Sequence, residues 1–160
     1  MNLCNRENCL KLTIPVKPRT KKNSQQIFKA GNKRWIGPSK AYTSFERLCG
    51  WWIEPKDRVK FDFPVNVRVQ FFVDSARRVD LTNLLEAVDD ILVKYEVLVD
   101  DSADIIVSHD GSRVFVDREK PRIEIDITPM EYYCASPDPE GSERFDKVKR
   151  RARKHESLCT

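Results

Sequence analysis

The sequence is poor in the residues on which several common chemistries depend. Two histidines and five glycines are scattered over 160 residues, and they form no H-E-x-x-H metal motif and no glycine-rich phosphate loop. The five cysteines are an odd number without a C-x-x-C pair, which indicates neither a disulfide framework nor a zinc knuckle. We therefore expect reduced thiols, and we expect any catalysis to depend on carboxylates.

Long apolar runs are also missing from the chain. No stretch approaches the roughly 18 apolar residues that cross a bilayer, and the first residues lack the basic start and apolar stretch of a secretory signal. With 40% hydrophobic and 34% charged residues, the composition is typical of a globular protein. The length predicts one domain, and together these features favour a cytoplasmic location.

Charge is divided unevenly along the sequence. Residues 1–60 contain 14 Lys and Arg against 4 Asp and Glu, whereas residues 61–135 contain 8 against 16. A basic third followed by an acidic middle predicts a surface for a polyanion beside a carboxylate cluster, which would need a cation to accept that polyanion. An ordinary mixed surface is the alternative that charge alone leaves open.

Hydrophobic periodicity predicts four strands and two main helices. The alternating segments 9–15, 64–73, 105–108 and 121–127 are predicted strands, the last two joined as a hairpin through the turn at 110–112. One helix is predicted from Ser39 up to Pro55, and a second covers residues 81–95 with Asp80 as its N-cap. The apolar positions of the first helix are predicted to lie in the core: Tyr42, Phe45, Leu48, Cys49, Trp52 and Ile53. Residues 1–133 are predicted to form the domain, and 134–160 a basic, mobile tail.

Acidic residues that could carry chemistry lie at two places. Asp80 begins the second helix, and Asp100 and Asp101 follow it 20 residues later. A hard cation such as Mg²⁺ binds a few carboxylates together with water and phosphate oxygens, as a metal-dependent phosphodiesterase requires. A helix cap followed by a solvated acidic turn is the alternative.

The order and spacing of these pieces carry a resemblance to a known family. Residues 77–92 (RRVDLTNLLEAVDDIL), followed by Asp100-Asp101-Ser102, are similar to the RusA family of Holliday junction resolvases. The upstream segments 17–24 (KPRTKKNS) and 38–42 (PSKAY) resemble its phage-type members. The similarity covers roughly residues 10–128, and it favours a metal site over a simple helix cap.

The resemblance implies a single-domain α/β (α+β) fold with a mixed sheet and two main helices. It also implies a homodimeric endonuclease that resolves four-way DNA junctions by paired nicks during recombination and repair, in a phage or prophage setting. The implied cofactor is Mg²⁺, with Mn²⁺ as an alternative, and no small-molecule cofactor or membrane is expected. Asp80 and Asp101 match the family's essential aspartates and Asp100 adjoins them as a third metal ligand, while Asn83 and Glu86 complete or orient the site.

A basic set is assigned to DNA. These residues cluster in the first third of the chain and just before Asp80, where they are predicted to contact phosphates and fix the position of the duplex. The set is Lys17, Arg19, Lys21, Lys22, Lys40, Arg77 and Arg78. Solubilising surface charge is the alternative.

Two residues depart from the family's bacterial prototype, which has an aspartate at Thr82 and a lysine at Glu86. Glu86 either adds a metal ligand or removes a cation that would hold phosphate charge. The rival functions are therefore a junction-binding protein of the same fold with weak or no catalysis, and an architectural DNA-binding protein whose acids are structural.

Chain geometry raises a further alternative. A helix reaching Tyr95 is about 22 Å long, and the six steps to Asp101 return at most about 20 Å. Either the helix ends early, near Leu92 or Lys94, or Asp101 completes the active site of the partner subunit.

Overall fold

The residues that the structure describes form seven strands and two α-helices. The computed structural model describes residues 9–21, 25–31 and 33–130. In chain order the elements are β1 Leu10–Ile14, β2 Gln25–Ala30, β3 Lys33–Pro38, α1 Lys40–Trp52, β4 Val65–Val73, α2 Leu81–Lys94, β5 Ile106–Ser108, β6 Arg113–Val116 and β7 Arg122–Pro129.

Strand β4 is the centre of a five-stranded mixed sheet. Strand β7 pairs with β4 antiparallel along its length, and β1 pairs antiparallel with the far side of β7. Strands β5 and β6 both run parallel to β4 on its other side, β5 beside its beginning and β6 beside its end. A mixed sheet with two helices confirms the predicted α+β architecture.

The core lies on one face of this sheet, because alternate residues of each strand point to the same side. In β4 the odd-numbered residues from Val65 to Val73 are buried, and in β7 the buried residues are Ile123, Ile125 and Ile127. The intervening residues, such as Arg68 and Asp126, form ion pairs on the opposite, more exposed face. Helices α1 and α2 contribute their apolar residues to the same core cluster.

Both helices begin at the predicted caps. The Ser39 side chain accepts a hydrogen bond from the Tyr42 backbone N–H, and the Asp80 side chain accepts one from Thr82. In α1 the predicted core positions Leu48 and Trp52 are wrong, since they are 40% and 51% exposed. Each follows a buried residue, Phe45 or Cys49, by three positions, which places it at the edge of the buried stripe of α1.

The predicted hairpin through residues 110–112 is also wrong. An additional strand, β6, follows this turn, and the chain continues along the same side of β4 instead of reversing onto β7. Hydrogen bonds explain the path: Asn66 Oδ1 accepts from Ser108 Oγ and from the Asp110 N–H, and Ser112 Oγ accepts from the Val69 N–H. The turn is therefore attached to β4.

A two-stranded hairpin, separate from the main sheet, precedes α1. Strands β2 and β3 pair antiparallel around Gly31, whose φ of +58° lies in the left-handed region that glycine adopts at low cost. Hydrophobic periodicity predicted no strands for the residues of β2 and β3.

One of the two cysteines that the structure describes differs from the expectation of reduced thiols. Cys49 is free and buried in α1, and burial raises the pKa of its thiol to about 12. Cys9, however, is disulfide-bonded, so the expectation is wrong for that residue. The predicted tail at 134–160 and Lys22 lie outside the described residues. In the part of the chain that is described, no helix has the length and apolar character of a membrane span.

Candidate active site

Asp80 is held at the exposed N-terminus of α2. Its Oδ1 accepts a hydrogen bond from the Thr82 backbone N–H at 3.0 Å, and its Oδ2 accepts one from Asn83 Nδ2 at 3.2 Å. Each carboxylate oxygen has further acceptor capacity, so the cap fixes the orientation of Asp80 without using up its lone pairs. Asn83 therefore helps to fix the orientation of the Asp80 carboxylate.

Asp100 and Asp101 lie in the exposed connection after α2. Asp100 Oδ1 accepts a hydrogen bond from the Asp101 backbone N–H at 2.9 Å. Downstream, Ile105 and Ile106 both donate their N–H groups to the Ser102 carbonyl, and Val65 at the start of β4 donates to the Ile105 carbonyl. The acidic pair thus sits at the end of a segment anchored to the sheet.

Glu86 and Asp90 belong to the face of α2 that is turned toward α1. Lys21 Nζ lies 2.6 Å from Asp90 Oδ2, and this hydrogen bond, with the charges of Asp90, Glu86 and Glu46, raises the pKa of Lys21 against the opposing effect of its burial. The nearby Tyr42 hydroxyl is buried and has no hydrogen-bond partner among the described residues. Glu86 therefore contributes negative potential around Lys21.

Asp89 and His109 were not among the predicted site residues. Asp89 Oδ2 lies 3.1 Å from His109 Nε2, and the two side chains are 14% and 26% exposed. The sequence signal was the position of Asp89, four residues after Leu85 and three before Leu92, which places a carboxylate beside the apolar stripe of α2. Burial raises the pKa of Asp89, and the charges of Asp101 and Asp90 act in the same direction, while His109 opposes them.

Asp101 acts electrostatically on the second half of α2. The nine residues from Asp80 to Asp89 span about 13 Å of helix, and Asp101 is one of the charges that act on Asp89. Helix α2 ends at Lys94. This is the early end of the helix that was the first of the two geometric alternatives. Among the residues that the structure describes, no three His, Cys, Asp or Glu side chains are grouped so as to hold a metal ion.

The basic residues assigned to DNA divide into paired and unpaired side chains. Lys17 forms an ion pair with Asp74 at 2.5 Å, and Lys21 is engaged with Asp90. Arg19 and Lys40 are exposed and form no ion pair with the described residues. Arg77 and Arg78 are exposed in the segment leading to Asp80, so these four guanidinium and ammonium groups are available to phosphates.

Comparison with known families matches residues 15–128 to the family described as endodeoxyribonuclease RusA. The match includes Asp80, Asp100, Asp101 and all seven basic residues named above. No curated protein matches the chain.

Proposed function

This chain belongs to the endodeoxyribonuclease RusA family, which covers most of its length, and on that premise we propose that it is a Mg²⁺-dependent resolvase of four-way DNA junctions. Paired nicks in opposing strands are the proposed reaction, and recombination and repair of branched DNA are its proposed role. The protein is proposed to act as a homodimer in the cytoplasm. One active site per subunit would then place two nicks in one junction.

The orientation of Asp80 is the observation that supports this function most directly. Its two hydrogen bonds aim an exposed carboxylate outward from the N-terminus of α2, beside the exposed Arg77 and Arg78. A helix N-terminus carries partial positive charge, which favours the approach of a phosphate. The Asp80 carboxylate can hold a cation that binds a DNA phosphate. The N-terminus of α2 and the two arginines favour the same phosphate by their positive charge.

The chemistry of the acids suits Mg²⁺. This cation keeps several waters and is commonly bound by only one or two carboxylates together with substrate phosphates. Asp80 and Asp101, with Asp100 beside it, are the proposed ligands. When bound, the ion supplies charge stabilisation and a bound water of lowered pKa, while Asn83 holds Asp80 and the arginines position the phosphate.

A site shared between subunits is the alternative arrangement proposed for the same acids. Asp101 is one of the charges that act on Asp89 in the second half of α2, and the described part of one chain groups no three ligands. In a two-fold dimer each surface meets its own copy, so Asp101 of one subunit can approach Asp80 of the other. This arrangement would make cleavage depend on dimerisation.

The test is incubation of the full chain with a synthetic four-way junction, with and without Mg²⁺, resolved on a denaturing gel. Symmetric nicks that require the cation are expected. Asp80→Asn and Asp101→Asn should abolish nicking and leave junction binding equal or tighter, because each removes a negative charge that repels DNA. Cleavage by both variants would contradict the assignment of the site.

A junction-binding protein without catalysis is the second candidate. Thr82 and Glu86 stand where the family's prototype has an aspartate and a lysine, and the charge of Glu86 acts on Lys21. Binding of the junction without Mg²⁺-dependent nicking would support this candidate. In that case Glu86→Lys should restore activity, whereas a loss of existing activity in Glu86→Lys would make Glu86 part of the metal site.

A further inference from the structure

The pair formed by Asp89 and His109 joins α2 to the turn that follows β5, and Asp101 is one of the charges that act on Asp89. Asp89 belongs to the second half of α2, and His109 directly follows β5. Asp89 Oδ1 is buried and has no hydrogen-bond partner among the described residues, so the contact of Oδ2 with His109 is the polar contact shown for this carboxylate. Such a buried acid is costly unless it is neutralised.

The contacts of His109 require a hydrogen on Nδ1 and one further proton, either on Nε2 or on the Asp89 carboxyl group. His109 Nδ1 lies 2.8 Å from the Val67 carbonyl oxygen, and a carbonyl only accepts hydrogen bonds, so Nδ1 carries a hydrogen. Nε2 faces a carboxylate oxygen at 3.1 Å. The second contact therefore needs one further proton, carried by Nε2 as an imidazolium or by Asp89 as a carboxylic acid, and in both forms the pair has no net charge.

The pKa directions agree with a pair that retains this proton. Burial lowers the pKa of His109, but the hydrogen bond and charge of Asp89 and the contact with Val67 outweigh it, so the pKa is raised. The pKa of Asp89 is raised as well, through burial and the charges of Asp101 and Asp90. A proton is thus held between α2 and the turn after β5.

His109 is held in a fixed position by the sheet. Its turn is hydrogen-bonded to Asn66 at Ser108 and Asp110, and Ser112 receives the Val69 N–H. Asp101 lies in the connection before β5, which is anchored to β4 through Ile105. A rigid imidazole therefore ties α2 to the sheet beside β5, the strand that this connection enters.

We propose that His109 is a positioning residue for the nuclease reaction: by neutralising and binding Asp89, it fixes α2 against the turn after β5, and so holds the connection between α2 and β5 that presents Asp100 and Asp101. The inference rests on the proposed function, because the role of Asp101 is part of it. Without His109, Asp89 would lose the polar contact shown for it and remain a buried carboxylate, which is costly and would loosen α2 against the sheet.

Three substitutions separate this role from simple support of the fold. His109→Ala removes both contacts and leaves Asp89 unpaired. Asp89→Asn preserves the bridge without the extra proton, since the amide can donate to Nε2 while Nδ1–H still donates to Val67. His109→Gln, which retains a donor but no charge, is the second variant in case the alanine variant does not fold.

Each variant of the full chain is measured in three ways. Single-turnover cleavage and dissociation constants are measured on a four-way junction with Mg²⁺, the free energy of unfolding is measured in urea, and amide hydrogen exchange is followed over residues 99–105 without DNA. We expect His109→Ala, or His109→Gln in its place, to slow cleavage by about 10- to 100-fold, the range typical of residues that orient metal ligands. Junction affinity should change little, exchange over 99–105 should rise, and Asp89→Asn should stay near wild type in each assay.

Cleavage at the wild-type rate in the His109 variants, or exchange over 99–105 that does not change, would overturn the proposal. So would losses of activity in all variants in proportion to their losses of stability, because these would indicate a purely structural pair. If the wild-type chain cleaves no junction, the proposed function fails, and the exchange comparison alone then decides whether His109 orders the connection.

Discussion

At the scale of single residues, Asp80 combines a structural and a chemical role. As the N-cap of α2 it satisfies the Thr82 N–H, and the same carboxylate is the proposed metal ligand. Asparagine caps helices about as well as aspartate, but its neutral amide is a poor ligand for Mg²⁺. The two roles can therefore be separated by choosing the substitution.

We predict that Asp80→Asn leaves stability nearly unchanged and abolishes cleavage, whereas Asp80→Ala abolishes cleavage and costs about 1 kcal/mol of unfolding free energy. Urea unfolding and junction cleavage measure the two effects. Equal destabilisation by both substitutions would show that the negative charge at the helix end, and not the hydrogen bond, carries the capping energy.

The basic residues differ in what they contact, and this predicts different responses to salt. Arg19 and Lys40 are exposed, while Lys21 is engaged with Asp90. Each phosphate contact contributes about 0.9 to the slope of log K against log salt concentration. We predict that Arg19→Ala and Lys40→Ala each reduce this slope by about that amount, and that Lys21→Ala changes it less while lowering stability.

Junction binding measured between 50 and 200 mM salt, a range over which phosphate contacts have a large effect, provides the comparison. A slope reduced as much by Lys21→Ala as by Arg19→Ala would mean that Lys21 leaves Asp90 when DNA binds. Unchanged slopes for Arg19 and Lys40 would return these residues to solubilising surface charge.

At the scale of the elements, the end of α2 packs against α1 at Gly50, which has no side chain. The Tyr95 hydroxyl donates to the Glu46 carbonyl at 3.2 Å, and a Cβ at Gly50 would lie 2.1 Å from the Tyr95 ring. Gly50 thus allows the ring to cross α1. Lys94 also binds Glu46, so this contact joins the two helices by both packing and charge.

We predict that Gly50→Ala destabilises the protein by about 1–3 kcal/mol, the usual cost of overpacking, although alanine favours a helix by up to about 1 kcal/mol over glycine. Thermal or urea unfolding measures the effect. In a Tyr95→Ala background the collision is absent, and Gly50→Ala should become neutral or stabilising. Destabilisation that persists in that background would contradict the assigned contact.

At the scale of the whole molecule, the proposed function depends on how two subunits combine. If Asp101 completes the partner's site, each site contains Asp80 from one chain and Asp101 from the other. Mixing inactive Asp80→Asn and Asp101→Asn homodimers under subunit exchange would then give heterodimers with one doubly altered and one intact site. We predict that cleavage of one strand per junction reappears.

Denaturing gels of the mixture, compared with each parent alone, measure this recovery. A mixture of both variants prepared without subunit exchange is the control. Sites built from a single chain would leave both sites of the heterodimer damaged, so a mixture as inactive as its parents would contradict the shared site while leaving the assignment of Asp80 and Asp101 intact.

Local patterns in the sequence were sufficient for the elements whose signals are local. The cap at Asp80, the helix that follows it and the alternating strand β4 depend on residues within a few positions of one another, so their periodicity predicted them. The family was likewise predicted from the order of short motifs, and the match over residues 15–128 confirms it.

Contacts between distant residues were decided only by the tertiary structure. The hairpin expected at residues 110–112 gave way to strand β6 because Asn66 and Val69, more than 40 positions away, bind that turn. Lys21 was assigned to DNA from local charge, but the fold brings it to Asp90. Asp89 and His109 meet for the same reason: hydrogen bonds and ion pairs depend on distance in space, which periodicity along one element does not encode.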